Sequence, residues 1–317
     1  MDSQARFTAD SLFPQWFHHL NQRTHCPVHA ESQGSGFCYR YRLVWESHEG
    51  RGEVLDWLAG LANTVSLCPL VRQNTLTGVE LGSEQAIVAP AIQKLEWFEL
   101  TSPLASLSRP GLLLMDMDST AIEIECIDEL AAMAGRGDEV AAITERAMQG
   151  ELDFEQSLRQ RVAALAGAEA SIIDKLCHQL PLMPGLEQMV AELQSYGWQI
   201  ALASGGFTPF VNHLRQQLGL SAAFANHLVV RDGLLVGEVD GRVVDAAFKA
   251  DVLMTLANQY DIPQGQRLAI GDGANDIPMI QRADFGIAFH AKPKLKQAAD
   301  AAIEQLDLRV LPFLLSL

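Results

Sequence analysis

The sequence predicts an α/β protein: a parallel sheet core carrying an inserted helical cap and a small β-hairpin insertion, preceded by an N-terminal α+β domain. Three observations predict it. The run Leu112-Leu113-Leu114-Met115 has no polar residue, as expected of a strand covered on both faces inside a parallel sheet. From about residue 184 onward, helical patterns alternate with short apolar strands, the signature of parallel α/β units. Between the two, the pattern changes to helices alone.

Taken in order, 37–45 reads as a strand, 53–62 as an amphipathic helix and 64–71 as a second strand. A Ser- and Pro-rich stretch, 101–110, reads as a linker and divides an N-terminal domain (1–105) from a second one (106–317). In the second, 106–126 opens the core and 127–183 forms the cap, with helices expected at 127–134, 139–148 and 154–165, each closing near a glycine. The core resumes at 184 with helix 186–196, strand 198–203, helix 209–218, strand 268–271, helix 276–282 and strand 285–289. Asp232-Gly233, flanked by 228–231 and 234–238, signals the hairpin.

A formal net charge of −16 over 317 residues argues against a general nucleic-acid surface, which needs a basic footprint. Five scattered cysteines without a C-x-x-C pair fit reduced thiols, the N-terminus carries no apolar signal core, and the apolar run 310–317 is too short to span a bilayer. A cytoplasmic protein with no membrane partner is expected.

Chemistry concentrates where strands end, the edge at which open α/β sheets bind ligands. Asp116 and Asp118 follow the first core strand and, two apart on an extended chain, point the same way. Two carboxylates held together repel unless a cation, a proton or hydrogen-bond donors offset them. A turn rich in helix caps would use the same residue types, so the other strand ends carry weight. Ser204-Gly205-Gly206 leaves bare backbone at a helix start, with Thr208 and Pro209 as cap and first residue, suited to an anion such as phosphate. Gly271-Asp272-Gly273-Ala274-Asn275-Asp276 supplies hard oxygen ligands of the kind magnesium prefers. Lys249 is the candidate cation near the phosphate. Together they point to phosphoryl transfer through an aspartyl phosphate, with Asp118 as acid and then base.

With these motifs in this order, the chain resembles the haloacid dehalogenase-like phosphatases, whose core is a Rossmann-like parallel sheet. Within them it is most similar to the phosphoserine phosphatase family, through Glu125 with Cys126-Ile127-Asp128-Glu129, Met148, Gly150-Glu151-Leu152-Asp153-Phe154 and Leu158-Arg159-Gln160-Arg161-Val162. The resemblance implies hydrolysis of O-phospho-L-serine with magnesium, the last step of serine biosynthesis. It implies Asp116 as nucleophile and Asp118 as acid and base. The metal would be held by the Asp116 carboxylate, the Asp118 carbonyl and Asp272, with Asp276 acting through water and Asn275 close by. Ser204, Gly205 and Lys249 would bind phosphate, Glu125 the substrate ammonium and Arg161 its carboxylate, while Met148 and Phe154 line the cap. The residues support one part independently: Phe154, Leu158, Arg161 and Leu165 share a helical face from which Arg159 is excluded, and an arginine on an apolar stripe needs an anionic partner.

Two other readings compete. One is a phosphatase or phosphotransferase of the same fold acting on another small phosphorylated acid; the other is an inactive amino-acid-binding regulatory protein. The N-terminal extension is of the kind carried by longer bacterial members, some of which resemble ACT modules, and a role in homodimer formation or serine sensing is expected of it. His25, Cys26, His29 and Cys38 imitate a zinc site, but their spacing fits no common finger.

Overall fold

The computed structural model describes residues 36–46, 51–61 and 65–317. The chain forms two compact units, one built from the described residues up to Leu104 with Ile303–Ser316, the other from Ala105–Ala302.

In the first unit, β1 (Tyr39–Glu46), α1 (Arg51–Gly60), β2 (Val65–Leu70), β3 (Leu76–Ser83) and β4 (Leu95–Glu99) give an antiparallel sheet of order β2-β3-β1-β4. Alternation along β1 sends Tyr41, Leu43 and Trp45 to one face, where they share a core with Val54, Leu55 and Leu58 of α1. The opposite face carries Arg42, buried and paired in register with Glu80, its guanidinium 3.0 Å from that carboxylate. Arg42 also donates to the Leu315 carbonyl at 2.7 Å, and Arg72 to the carbonyls of Pro312 and Leu315 at 2.7 and 2.6 Å. One Glu96 oxygen accepts the N–H groups of Glu304, Gln305 and Leu306. The sequence reading carried the second domain through residue 317, whereas 303–316 cluster with the first unit. The reason is local: the irregular Leu308–Leu314 segment, a 3-10 helix, has carbonyls to satisfy, and the two arginines satisfy them from far away in sequence.

The second unit opens with β5 (Leu112–Met115), all four side chains fully buried. Four cap helices follow: α2 (Cys126–Met133), α3 (Gly137–Met148), α4 (Phe154–Ala164) and α5 (Ser171–Cys177). The last was not expected. The core continues with α6 (Leu186–Ser195), β6 (Gln199–Phe207), α7 (Thr208–Leu218), β7 (Ala222–Arg231), β8 (Leu234–Asp240), α8 (Ala246–Gln259), β9 (Arg267–Gly271), α9 (Ile277–Arg282), β10 (Phe285–Phe289), α10 (Pro293–Ala298) and β11 (Ala301–Ile303). The sheet order is β11-β10-β9-β5-β6-β7-β8, with β5 parallel to both β9 and β6.

Two expectations change in detail. The hairpin is not a free-standing insertion, because β7 begins at Ala222 and pairs parallel with β6 before its outer half turns back antiparallel into β8. The small residues of Ala222-Ala223-Phe224-Ala225 gave no alternation to reveal it. The far end of the hairpin is stitched to the cap, with Gly167 N–H on Leu235 O, Leu235 N–H on Ala168 O and Ala170 N–H on Gly233 O, at 2.8, 2.9 and 2.8 Å. Likewise β6 does not stop at residue 203 but stays extended to Phe207, which replaces Thr208 as the cap of α7. No described helix is long and apolar enough to cross a membrane.

Candidate active site

Strand register assembles the site. Met115 lies opposite Ile270 of β9 and Leu202 of β6, so Asp116 and Asp272 follow the ends of β5 and β9 at the edge where Ser204 begins the irregular end of β6. The Asp116 N–H still donates to Ile270 O at 3.0 Å, which fixes the first carboxylate to the sheet. Met117 turns away and is fully buried, so Asp116 and Asp118 face the same side. Beyond them the chain wraps on itself: the N–H groups of Thr120, Ala121 and Ile122 all donate to Met117 O. Ser119, at φ 56°, holds the left-handed conformation this tight wrap requires, and its hydroxyl donates to Glu125 at 2.9 Å.

Three carboxylates, Asp116, Asp272 and Asp276, offer ligand oxygens that all lie within 4.8 Å of one another. Lys249 is buried beneath them, its Nζ 2.8 Å from both Asp116 and Asp276. Burial would push that ammonium down, but the two carboxylates more than reverse this and hold it charged. Asp116 is raised well above the usual carboxylate range by burial and by Asp276, with Lys249 opposing. Asp118 is pushed up to about 7 by burial and by Glu125, although the Cys126 N–H donated to it at 3.1 Å works the other way. Asp272 rises to about 6 from burial, then Asp276 and Glu125. One lysine does not neutralise so many acids, and hard oxygen donors crowded this closely suit a divalent cation. The residues present therefore fit a metal.

The cavity above this cluster has a volume of about 430 Å³. Asp116, Asp118, Glu125, Gly205, Asp272 and Asn275 line it from the core, and Met148, Phe154 and Arg161 from the cap. Lys249, Asp276 and Ser204 lie below its surface, at 1%, 0% and 0% exposure. The Ser204 hydroxyl accepts the Gly206 N–H at 2.8 Å. A side chain on Gly205 would meet the Phe154 ring at 2.8 Å, so the cap aromatic rests on bare backbone. The Nε of Arg161 is buried with no hydrogen-bond partner. Burial pulls its guanidinium down from its ordinary value while Asp128, Glu125 and Asp118 pull the other way. Arg159, off that face, pairs with Glu155 at 2.7 Å.

The sequence reading named Asp128 within a signature without giving it a role, and missed Lys292, which also lines the cavity, and Asn226 behind it. Lys292 follows β10 and so belongs to the strand-end pattern that could have found it. Of the zinc-like group, His25, Cys26 and His29 lie outside the described residues, and Cys38 is exposed with its thiol donating to Glu84.

The family model for haloacid dehalogenase-like hydrolases matches residues 111–284. The phosphoserine phosphatase of Vibrio cholerae is 50% identical over 224 residues, covering 71% of this chain and 68% of that one. The unliganded crystal structure of a probable phosphoserine phosphatase from Vibrio cholerae superposes with a TM-score of 0.76 at 36% identity, covering 97% of this chain and 92% of that one. A substrate-bound phosphoserine phosphatase complex gives 0.61 at 43% identity, over 65% of this chain and 98% of that one.

Proposed function

This chain belongs to the haloacid dehalogenase-like hydrolases, and from that premise we propose that it is a phosphomonoester hydrolase acting on O-phospho-L-serine, yielding L-serine and phosphate. One observation carries the choice of substrate. The cavity that holds Asp116 and Asp118 also holds Glu125 and an Arg161 whose buried Nε lacks a partner. An anionic carboxylate would satisfy that guanidinium, and Glu125 complements an ammonium, so the two together match the amino-acid end of the substrate. The relatives' activity supports the same reading.

In this reading Asp116 attacks phosphorus and forms an aspartyl phosphate, which water then hydrolyses. Asp118 gives its proton to the leaving serine oxygen and takes one from the attacking water. A carboxyl raised to about 7 has both forms available near neutrality, as that double duty needs. Lys249 holds Asp116 in place from below and keeps positive charge beside the phosphate. Ser204 and Gly205 receive the phosphate oxygens, and Met148 and Phe154 line the cap side of the cavity. Magnesium is the proposed metal: Asp116, Asp272 and the Asp118 carbonyl would hold it with Asp276 nearby, and it would supply the positive charge that the carboxylates and phosphate lack.

The test is phosphate release from O-phospho-L-serine with and without magnesium, beside phosphothreonine, phosphoglycolate and phosphorylated sugars. Magnesium-dependent preference for phosphoserine is the expected result; activity confined to another panel member would overturn the cap assignment and keep the Asp116 chemistry. Asp116→Asn is expected to lower turnover at least about a thousandfold while substrate still binds. Near-normal turnover in that variant would exclude the covalent route.

For the first unit, a role in dimer formation or serine sensing is proposed, and its four-stranded sheet with a helix between β1 and β2 is compatible with an ACT-like module. Sedimentation of the full chain with and without serine, together with serine inhibition of turnover, tests both roles.

A further inference from the structure

Behind the proposed phosphate cradle, β6 and β7 fall out of register between Ala203 and Phe207, and Asn226 is the β7 residue at which pairing resumes. Its side chain is 1% exposed and uses every hydrogen-bonding direction that matters at this junction. The amide nitrogen donates to Gly205 O at 2.7 Å and Gly206 O at 3.2 Å. The amide oxygen accepts the Val244 N–H at 2.8 Å. Val244 precedes Asp245, whose carboxylate caps α8 by accepting the Phe248 N–H at 2.7 Å, and α8 carries Lys249.

We infer that Asn226 is a positioning residue that sets the phosphate cradle and the Lys249 helix in one geometry. In a trans peptide the carbonyl and the following N–H point in opposite directions. Holding the carbonyls of Gly205 and Gly206 on the Asn226 side therefore turns the N–H groups of Gly206 and Phe207 the other way, the first of them onto Ser204 Oγ. Gly205 to Phe207 form part of the cavity wall. Within the bulge the Ser204 hydroxyl reaches the Gly205–Gly206 peptide, but the glycines bring no side chain to the Gly206–Phe207 peptide and the ladder is interrupted there, so an outside group must complete the fixing of these planes. Asn226 does so while tying down the entry to α8. It touches neither substrate nor metal in this account, and acts through the backbone it holds. The inference rests on the reading that this cavity receives a phosphate monoester.

Asn226→Asp keeps the acceptor for Val244 and removes both donors; Asn226→Leu keeps the volume and removes all three bonds. For the full-length protein with magnesium, both variants are expected to weaken inhibition by orthophosphate about tenfold or more and to lower kcat with kcat/KM. The preference for phosphoserine over a phosphate ester lacking the carboxylate should not move, since Arg161 is untouched. Folded variants with unchanged orthophosphate inhibition and kcat would overturn the inference, as would a loss of the carboxylate preference in step with activity. Hydrogen exchange on the unmutated protein needs no variant to fold: orthophosphate with magnesium should slow exchange across 243–248, and unchanged exchange there would also overturn it. A protein inactive on the whole panel before mutation would remove the functional reading itself, whereas an active protein with indifferent variants removes this inference alone.

Discussion

Asp118 combines burial, a neighbouring glutamate and a single backbone donor, and the balance sets when it holds a proton. Glu125 raises it, so Glu125→Gln should lower it and move the alkaline limb of the kcat/KM profile toward acid, measured against the unmutated protein. Stability should respond in the same sense. Asp118 and Asp272 bind protons more tightly folded than unfolded, so their contribution is fully present below the ordinary carboxylate value of 3.8 and is lost as pH climbs through about 6 and 7. In chelator, the melting temperature should fall across that range, and Asp118→Asn should flatten the fall; a fall of equal steepness in the variant would exclude Asp118 as its source. At this scale the sequence was eloquent about the carboxylates, because strand ends and a spacing of two dictate where Asp116 and Asp118 point. It was silent about Asn226, which stands beside His227 in β7 with no motif around it.

Among the elements, β6 leaves little room beside Asp118. A side chain on Gly206 would stand 2.8 Å from the Asp118 carboxylate, 3.0 Å from Met117 Cε and 3.1 Å from Ser204 Oγ. Gly206→Ala should therefore lower kcat/KM about a hundredfold by displacing Asp118, with a smaller loss of thermal stability, both measurable on one preparation. The ends of helices and strands rich in β-branched and leucine residues followed from periodicity and from glycines such as Gly135 and Gly167, whose φ values of 68° and 82° suit a helix end. What periodicity did not reveal was the course of β6 past Ala203 or of β7 before Leu228, since both stretches owe their extended form to neighbours rather than to their own pattern.

For the whole chain, Ile303–Ser316 return to the unit built from the described residues up to Leu104. A chain beginning at residue 106 should leave Val310, Leu311, Phe313 and Leu314, all buried in the intact protein, without their cover. It should bind a hydrophobic dye and aggregate unless residues 303–317 are also removed; a soluble, dye-negative fragment that keeps those residues would contradict this. The sequence by itself determined the α/β class, the strand whose end carries Asp116 and Asp118, and the family, because burial pattern and motif spacing are local properties of the chain. Only the tertiary structure decided that Lys249 bridges Asp116 and Asp276, that the Arg161 Nε is buried and unpartnered, that Asn226 holds the carbonyls of Gly205 and Gly206, and that Arg42 and Arg72 capture the C-terminal segment. Each of these joins groups distant in sequence, or depends on what fails to reach a buried polar atom, and neither follows from local pattern.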